Sequence, residues 1–376
     1  MAKLKIAVII PTQPNINSSL QNLLKVYQYM IKKYKMEVTI FTDKKNNFSC
    51  KGFKVEKING IDYKTPLEKL LLFLGLQRDY YTDLIEKLKG YDVIETSNPE
   101  FYWFAYQSYL AAKKYNSKLI LRTSQTVDGF YLFKFTKFIS VAIAKNSYRH
   151  ARYLLFTNPE AAERCIRLGL AEKNSKKTVV RVHATDTGTF RPLNIKKDKS
   201  KAILLSVGGL YKIKGHHIII EALKKIVDNG YDAELWIVGD GYYKNKLIDL
   251  AKKLNLTSKI KFLGSKGHDE LAQVYNKSDI FVLANYQEIT PAVNEALACG
   301  IPVVVMETGG RYFVIPDESY GLISKRFDAD DMARKIMKLI ENKKISTLVA
   351  QNGRKRILEN FSIENVAEKF YIAFTR

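Results

Sequence analysis

Two hydrophobic periods alternate along this chain. Residues 4–10 form a short apolar run; the turn-rich segment Pro11-Thr-Gln-Pro-Asn-Ile-Asn-Ser-Ser19 follows, then a helical period over residues 19–34 and a second apolar run at 38–42. Strand, loop, helix, strand is the opening of a doubly wound sheet. The alternation continues with a helical region over 65–89, a strand at 91–95, a helix opened by Asn98-Pro-Glu-Phe-Tyr-Trp103, and strands at 118–122, 153–157 and 177–183. A second round starts with the strand run at 202–210 and proceeds through runs at 234–241, 260–264, 280–283 and 301–305, while 329–342 and 363–374 read as helices. The pattern predicts an α/β chain of two doubly wound, Rossmann-like domains.

Length and composition agree with this picture. At 376 residues there is enough chain for two domains with separate cores, and 46% hydrophobic with 26% charged residues describes a globular protein. No run approaches the roughly eighteen apolar residues of a membrane span, and Met1-Ala-Lys-Leu-Lys-Ile leads straight into strand-like sequence, so the expected location is the cytoplasm. Cys50, Cys165 and Cys299 are too scattered for a disulfide framework, and neighbouring His216 and His217 point in different directions on a helix, so no metal site is expected.

Charge changes the picture more. The formal net charge is +23, and 31 Lys and Arg against 16 Asp and Glu place +15 of it in residues 1–190. Such an excess attracts nucleic acid, anionic membrane or phosphorylated ligands. Residues 130–153 interleave lysines and arginines with aromatic rings in a helical context, and residues 67–76 are almost wholly apolar. A basic aromatic helix suits an anionic membrane surface, and equally a core-packed helix with a solvated basic edge. No nucleic-acid-binding module surrounds it, which makes nucleic acid an unlikely partner.

The candidate chemistry lies in Asn285-Tyr-Gln-Glu-Ile-Thr-Pro-Ala-Val-Asn-Glu-Ala-Leu-Ala-Cys-Gly300. A buried strand runs into a polar loop, and Thr290-Pro291 opens a helix whose free N–H groups and dipole favour an anion. Glu288 and Glu295 flank that anion site, which suggests sugar hydroxyls as their partners. The same residues would also serve as an ordinary solvated helix start. Upstream, Gly208-Gly209-Leu-Tyr-Lys212-Ile-Lys214-Gly215 follows a strand, and Gly-Gly before Lys-x-Lys-Gly by itself suits an ordinary turn. The first loop of the chain lacks G-x-G-x-x-G, which argues against a dinucleotide cofactor. In its place stand Asn15, Asn17, Ser18 and Ser19.

Two acids around this helix start, followed by Glu-Ala-Leu-Ala-Cys-Gly-Ile-Pro-Val-Val, resemble the E-x7-E segment of glycosyltransferase family 4, a retaining family with the GT-B fold. Three further segments resemble it: Ala184-Thr-Asp-Thr-Gly-Thr-Phe-Arg-Pro192 matches its interdomain motif, Val207 to Gly215 its V-G-R-L-x-x-x-K-G loop, and Leu263-Gly264-Ser265 its nucleobase-facing strand end. The resemblance is specific from about residue 202 to 323. It implies that Glu288 lies near the donor hexose, that Gly208, Gly209, Lys214 and the helix-start residues Thr290, Pro291, Ala292 and Val293 surround the diphosphate, and that Glu295 takes the ribose hydroxyls. The family spacing of the two acids is eight and Glu288 lies seven before Glu295, so Gln287 is the alternative first position. Gly209 stands where the family has Arg, with Lys212 as a replacement from the same loop, and Gln125 stands where relatives place a catalytic His.

On this reading the domains are 1–187, binding acceptor, and 188–361, binding the nucleotide sugar, with 362–376 a helix crossing back to the first. The implied activity is metal-independent, retaining transfer of a hexose-type sugar from a UDP- or GDP-linked donor to an acceptor hydroxyl, with no cofactor. The acceptor is expected to be a lipid or lipid-linked glycan at a membrane surface, met through 67–76 and 130–153. A GT-B nucleotide-sugar epimerase and a non-catalytic basic binding protein remain open alternatives.

Overall fold

Apolar runs that are buried on both faces pair as parallel strands, and they do so twice here. The computed structural model describes residues 3–10, 18–46, 52–60, 80–99, 102–123, 134–156, 159–173, 175–180, 183–197, 200–286 and 290–376. They divide into one unit of Met1–His183 with Val366–Arg376 and another of Ala184–Asn365.

The first unit contains β1 Lys5–Ile9, β2 Glu37–Asp43, β3 Lys54–Ile58, β4 Val93–Ser97, β5 Lys118–Thr123, β6 Tyr153–Phe156 and β7 Thr178–Val180. Their order is β3-β2-β1-β4-β5-β6-β7, and every pair is parallel. The final helix Ile363–Thr375 packs here. Tyr371 stacks on Tyr34 with ring centroids 3.9 Å apart, and Lys118 Nζ donates to the Thr375 carbonyl at 2.8 Å.

The second unit contains β8 Ala202–Val207, β9 Ala233–Val238, β10 Ile260–Gly264, β11 Ile280–Leu283, β12 Val303–Met306 and β13 Leu322–Ser324, in the order β10-β9-β8-β11-β12-β13. Both sheets thus carry the doubly wound order 3-2-1-4-5-6, whose direction reverses between β1 and β4 in one and between β8 and β11 in the other. Beneath the second switch point, Leu204, Ile219, Leu223, Leu235 and Val282 share one aliphatic core, which fastens the helix His216–Asp228 to the sheet.

Three elements differ from the sequence-based expectation. Lys54–Ile58 pairs as an edge strand although its residues are mostly half-buried and polar. The helix Lys343–Asn360 is long, but it buries only the thin stripe Val349, Ala350, Gly353 and Ile357, too little apolar period to stand out. Within the expected helical region at 65–89, the described residues form a single turn, Leu84–Lys87; the apolar stretch 67–76 lies outside them. The basic helix is Lys134–His150. Where its side chains are described, Ala144, Ser147 and Tyr148 are buried while Arg149 and His150 are exposed, as in a core-packed helix with a basic edge. Among the described residues no helix is long and apolar enough to cross a membrane.

Two glycines are held against backbone as closely as any described: Gly239, with φ +136° and the Gly208 carbonyl oxygen 2.0 Å from an added Cβ, and Gly215, with φ +70° and the Ala284 carbonyl oxygen at 2.0 Å. Gly230 has φ +85° and nothing within 4 Å of such a Cβ. Gly230→Ala should therefore cost only the left-handed backbone, roughly 1–2 kcal/mol. Gly215→Ala must also push two loops apart and should cost about 3 kcal/mol or more. Urea midpoints at constant m measure both; equal losses would show that the close approach at Gly215 carries no energy.

Candidate active site

The C-terminal ends of β8, β10 and β11 bring three of the sequence-identified segments to one edge of the second sheet. After β8, Gly208 N donates to the Val238 carbonyl at 3.0 Å and Leu210 N to the Asp240 carbonyl at 2.9 Å, fastening this loop to the one after β9. Lys212–Lys214 is one 3-10 turn, and Gly215 then opens the helix. Lys214 is half-buried and Lys212 exposed. A side chain at position 209 would collide with the Tyr211 ring, whose Cε2 lies 2.6 Å from an added Cβ. Gly209 and Tyr211 therefore go together, and an Arg at 209 would require the ring to leave. Below the loop, His216 Nδ1 is 3.1 Å from Ser206 Oγ. Burial outweighs the opposing pull of the Gly209 and Gly208 backbone and lowers His216 to about 4, so the ring is neutral at pH 7.

After β11 the helix Pro291–Ala298 has Thr290 as N-cap and Pro at its first position. The Thr290 side chain makes no cap bond, and its buried Oγ1 has no partner among the described residues. Polar groups at this helix start are thus left for something else to satisfy. Ala292 and Val293 are buried, and Val293 N donates to the Thr290 carbonyl at 3.0 Å. Glu295, on the same helix, is 2% exposed. Tyr275 Oη is 3.0 Å from its Oε2 and 3.1 Å from the Ala292 carbonyl. Burial and then the Glu295 charge push the Tyr275 phenol well above its usual value, so it remains a donor. The same two causes raise Cys299 to about 12 and keep it an inert thiol.

At the end of β10, the Gly264 carbonyl accepts from Gly239 N at 2.9 Å; Leu263 is half-buried and Ser265 exposed. Gln287 and Glu288 lie outside the described residues, as does Gln125 of the first unit.

Sequence reasoning missed Tyr286, which ties this edge together. Its N–H donates to the Ile213 carbonyl at 3.0 Å, its carbonyl accepts from Arg326 at 3.0 Å, and its hydroxyl is 2.8 Å from His217 Nε2. Its only sequence signal is its position directly after a buried strand. Among the described residues no three His, Cys, Asp or Glu side chains are grouped to hold a metal. A cavity of about 860 Å³ lies at the other edge of this sheet, against Ala202, Ile280, Pro302 and Arg354, and shares none of the residues above.

Residues 191–356 match the family model described as glycosyl transferases group 1. The chain is similar to the lipopolysaccharide core biosynthesis glycosyltransferase LpsE of Rhizobium meliloti, at 26% identity over 229 residues, 59% of this chain and 64% of that one. It is also similar to the N,N'-diacetylbacillosaminyl-diphospho-undecaprenol alpha-1,3-N-acetylgalactosaminyltransferase of Campylobacter jejuni, at 26% identity over 329 residues, 83% of this chain and 84% of that one. The chain spans about half the length of several other curated relatives that it matches. Among solved structures, Anabaena HepE in complex with UDP superimposes with a TM-score of 0.76 at 16% identity, covering 99% of this chain and 100% of that one. The two parallel sheets in doubly wound order have such counterparts along the whole chain. The fold is therefore GT-B, with the group 1 glycosyl transferase match confined to residues 191–356.

Proposed function

We propose that this protein is a retaining glycosyltransferase of family 4 type that moves a hexose-type sugar from a UDP- or GDP-linked donor to an acceptor hydroxyl. The observation that carries the reading is the convergence of Lys214, the open helix start at Thr290–Val293 and the buried Glu295 on one sheet edge, inside the segment that matches the family model. The UDP named in the HepE complex supports a nucleotide-linked donor.

In this mechanism the diphosphate meets Lys214 and the amides at the start of the helix Pro291–Ala298, the ribose meets Glu295, and the base lies against Leu263, Gly264 and Ser265. Cleavage of the anomeric C–O bond places negative charge on the departing phosphate. A fixed ammonium and helix dipole stabilise that charge more in the transition state than in the ground state, which lowers the barrier. They also supply the cationic charge that a metal would otherwise bring. The acceptor hydroxyl attacks from the face the phosphate leaves, and a phosphate oxygen takes its proton. Glu288 orients the hexose, with Gln287 as the alternative, and Gln125 offers the sugar a hydrogen bond.

The acceptor on this reading is a lipid or lipid-linked glycan. The diphospho-undecaprenol in the name of the Campylobacter relative supports this, as does the +15 of the first 190 residues. The protein would meet it as a peripheral protein on the cytoplasmic face of a membrane, through 67–76 and the basic edge of 130–153.

Three outcomes follow. Glu295→Gln keeps the shape and an acceptor for Tyr275 but removes the charge facing the ribose, and should weaken binding of free UDP or GDP by about 1.5–3 kcal/mol. Isothermal titration reads this, and unchanged affinity would refute the ribose assignment. Lys214→Ala should lower kcat, followed by mass spectrometry of glycosylated products, with little change in thermal midpoint; parental kinetics would place the diphosphate elsewhere. Co-sedimentation with anionic vesicles should fall steeply between about 0.1 and 1 M salt, as the Debye length shrinks from about 10 to 3 Å. Equal partitioning onto neutral vesicles, or none onto either, would remove the membrane surface from the reading.

A further inference from the structure

Cations that face a polyanion differ from ordinary surface cations in having no acid of their own. In the second unit many basic groups are paired: Lys201 and Lys261 with Glu234 at 2.6 and 2.5 Å, Arg311 with Glu307 at 2.8 Å, and Arg334 with Asp331 at 2.9 Å. Among the described residues, Lys212, Lys214 and Arg326 have no carboxylate within ion-pair distance; others such as Lys246 and Lys277 share this, but these three lie at the C-terminal edge of the sheet beside the helix start. Position 209 adds no charge there, because the Tyr211 ring fills the space a side chain would need.

Arg326 differs from the two lysines in that its head group is held. It follows β13, and one guanidinium nitrogen donates to the Tyr286 carbonyl at 3.0 Å. The guanidinium carbon lies 5.0 Å from the Phe327 ring centroid, and Phe327 in turn meets the Tyr286 ring edge-on at 4.7 Å. The N–H of the same Tyr286 is bonded to the Ile213 carbonyl, one residue before Lys214. A single residue therefore anchors both the Lys214 loop and the Arg326 head. The guanidinium has five N–H donors in a rigid fork, and the described protein uses one of them. An exposed, held fork with no carboxylate partner among the described residues matches the paired oxygens of a phosphate better than a free lysine does.

We infer that Arg326 binds the diphosphate of the nucleotide ligand, sharing its charge with Lys214; this rests on the donor reading above. Arg326 is a binding residue in this role, and the bond to Tyr286 positions it. Its competitor is a purely structural role, in which the arginine does no more than tie the β13 loop to Tyr286.

Isothermal titration of the full chain with UDP, GDP, uridine and guanosine separates these roles. Arg326→Gln and Arg326→Ala should weaken the better-binding nucleoside diphosphate roughly tenfold or more, the scale of a lost hydrogen bond to a charged group. Affinity for the matching nucleoside should stay unchanged. Arg326→Lys, which keeps the charge without the fork, should fall between the parent and Arg326→Gln. Equal losses for nucleoside and diphosphate would assign Arg326 to structure alone, and parental affinity in all three variants would remove it from the site while leaving the donor reading intact. A parent that binds neither UDP nor GDP would overturn the donor reading itself, and this inference with it.

Discussion

The second unit is built around the contact of two loops that are distant in sequence. Parallel pairing sets β8 beside β11, and their C-terminal ends then converge so tightly that Gly215 leaves no room for a Cβ against the Ala284 carbonyl. The Tyr286 N–H closes the same contact on the Ile213 carbonyl. Backbone groups hold most of this edge, and the aliphatic core below fixes the helix that begins there. A loop held largely by main-chain contacts tolerates side-chain replacement at its rim. That is how Gly209 and Tyr211 can occupy a place where an arginine is expected without the loop losing its path.

The lower layer of the site has its polarity fixed by burial. A carboxylate that is 2% exposed needs partners, and the Tyr275 hydroxyl, kept protonated by burial and by that same charge, supplies one. That hydroxyl has a single proton with two acceptors in reach, Glu295 and the Ala292 carbonyl. A vicinal pair of ribose hydroxyls brings further donors to an acid that can accept several hydrogen bonds. Tyr275 thus gives the buried acid a neutral donor, and on the proposed reading Glu295 would serve the helix in the free protein and the ribose in the complex.

What the sequence made legible follows from this division between main chain and side chain. Strands buried on both faces, such as Val303–Met306 and Ile280–Leu283, are unbroken apolar runs and were readable as such. Lys54–Ile58 and the helix Lys343–Asn360 bury too little of themselves to show a period, so they were not. Glu295, Lys214 and the helix start stand out in the sequence because each lies in a short local motif. Tyr286, Tyr275 and Arg326 do not, because each acts through a partner far along the chain. Tyr286 reaches His217 and Arg326, and Tyr275 reaches Glu295. No spacing rule along one strand or helix encodes such contacts.

The charge distribution separates the roles of the two units further. Among the described residues, most ion pairs lie in the second unit, where they neutralise its lysines locally. Paired charges cancel within a few ångströms and leave little field at a Debye length. The first 190 residues hold only 16 acids for 31 bases, so close to half of their positive charge has no acid to pair with. Long-range attraction to an anionic surface therefore comes mainly from the first unit. Among the second unit's lysines and arginines without an ion pair in the described residues, Lys212, Lys214 and Arg326 lie at the C-terminal edge of the sheet, where on the proposed reading they would act at contact distance on one ligand. On the proposed reading, one chain would in this way draw an acceptor-bearing surface through net charge and hold a phosphorylated donor through placed charge.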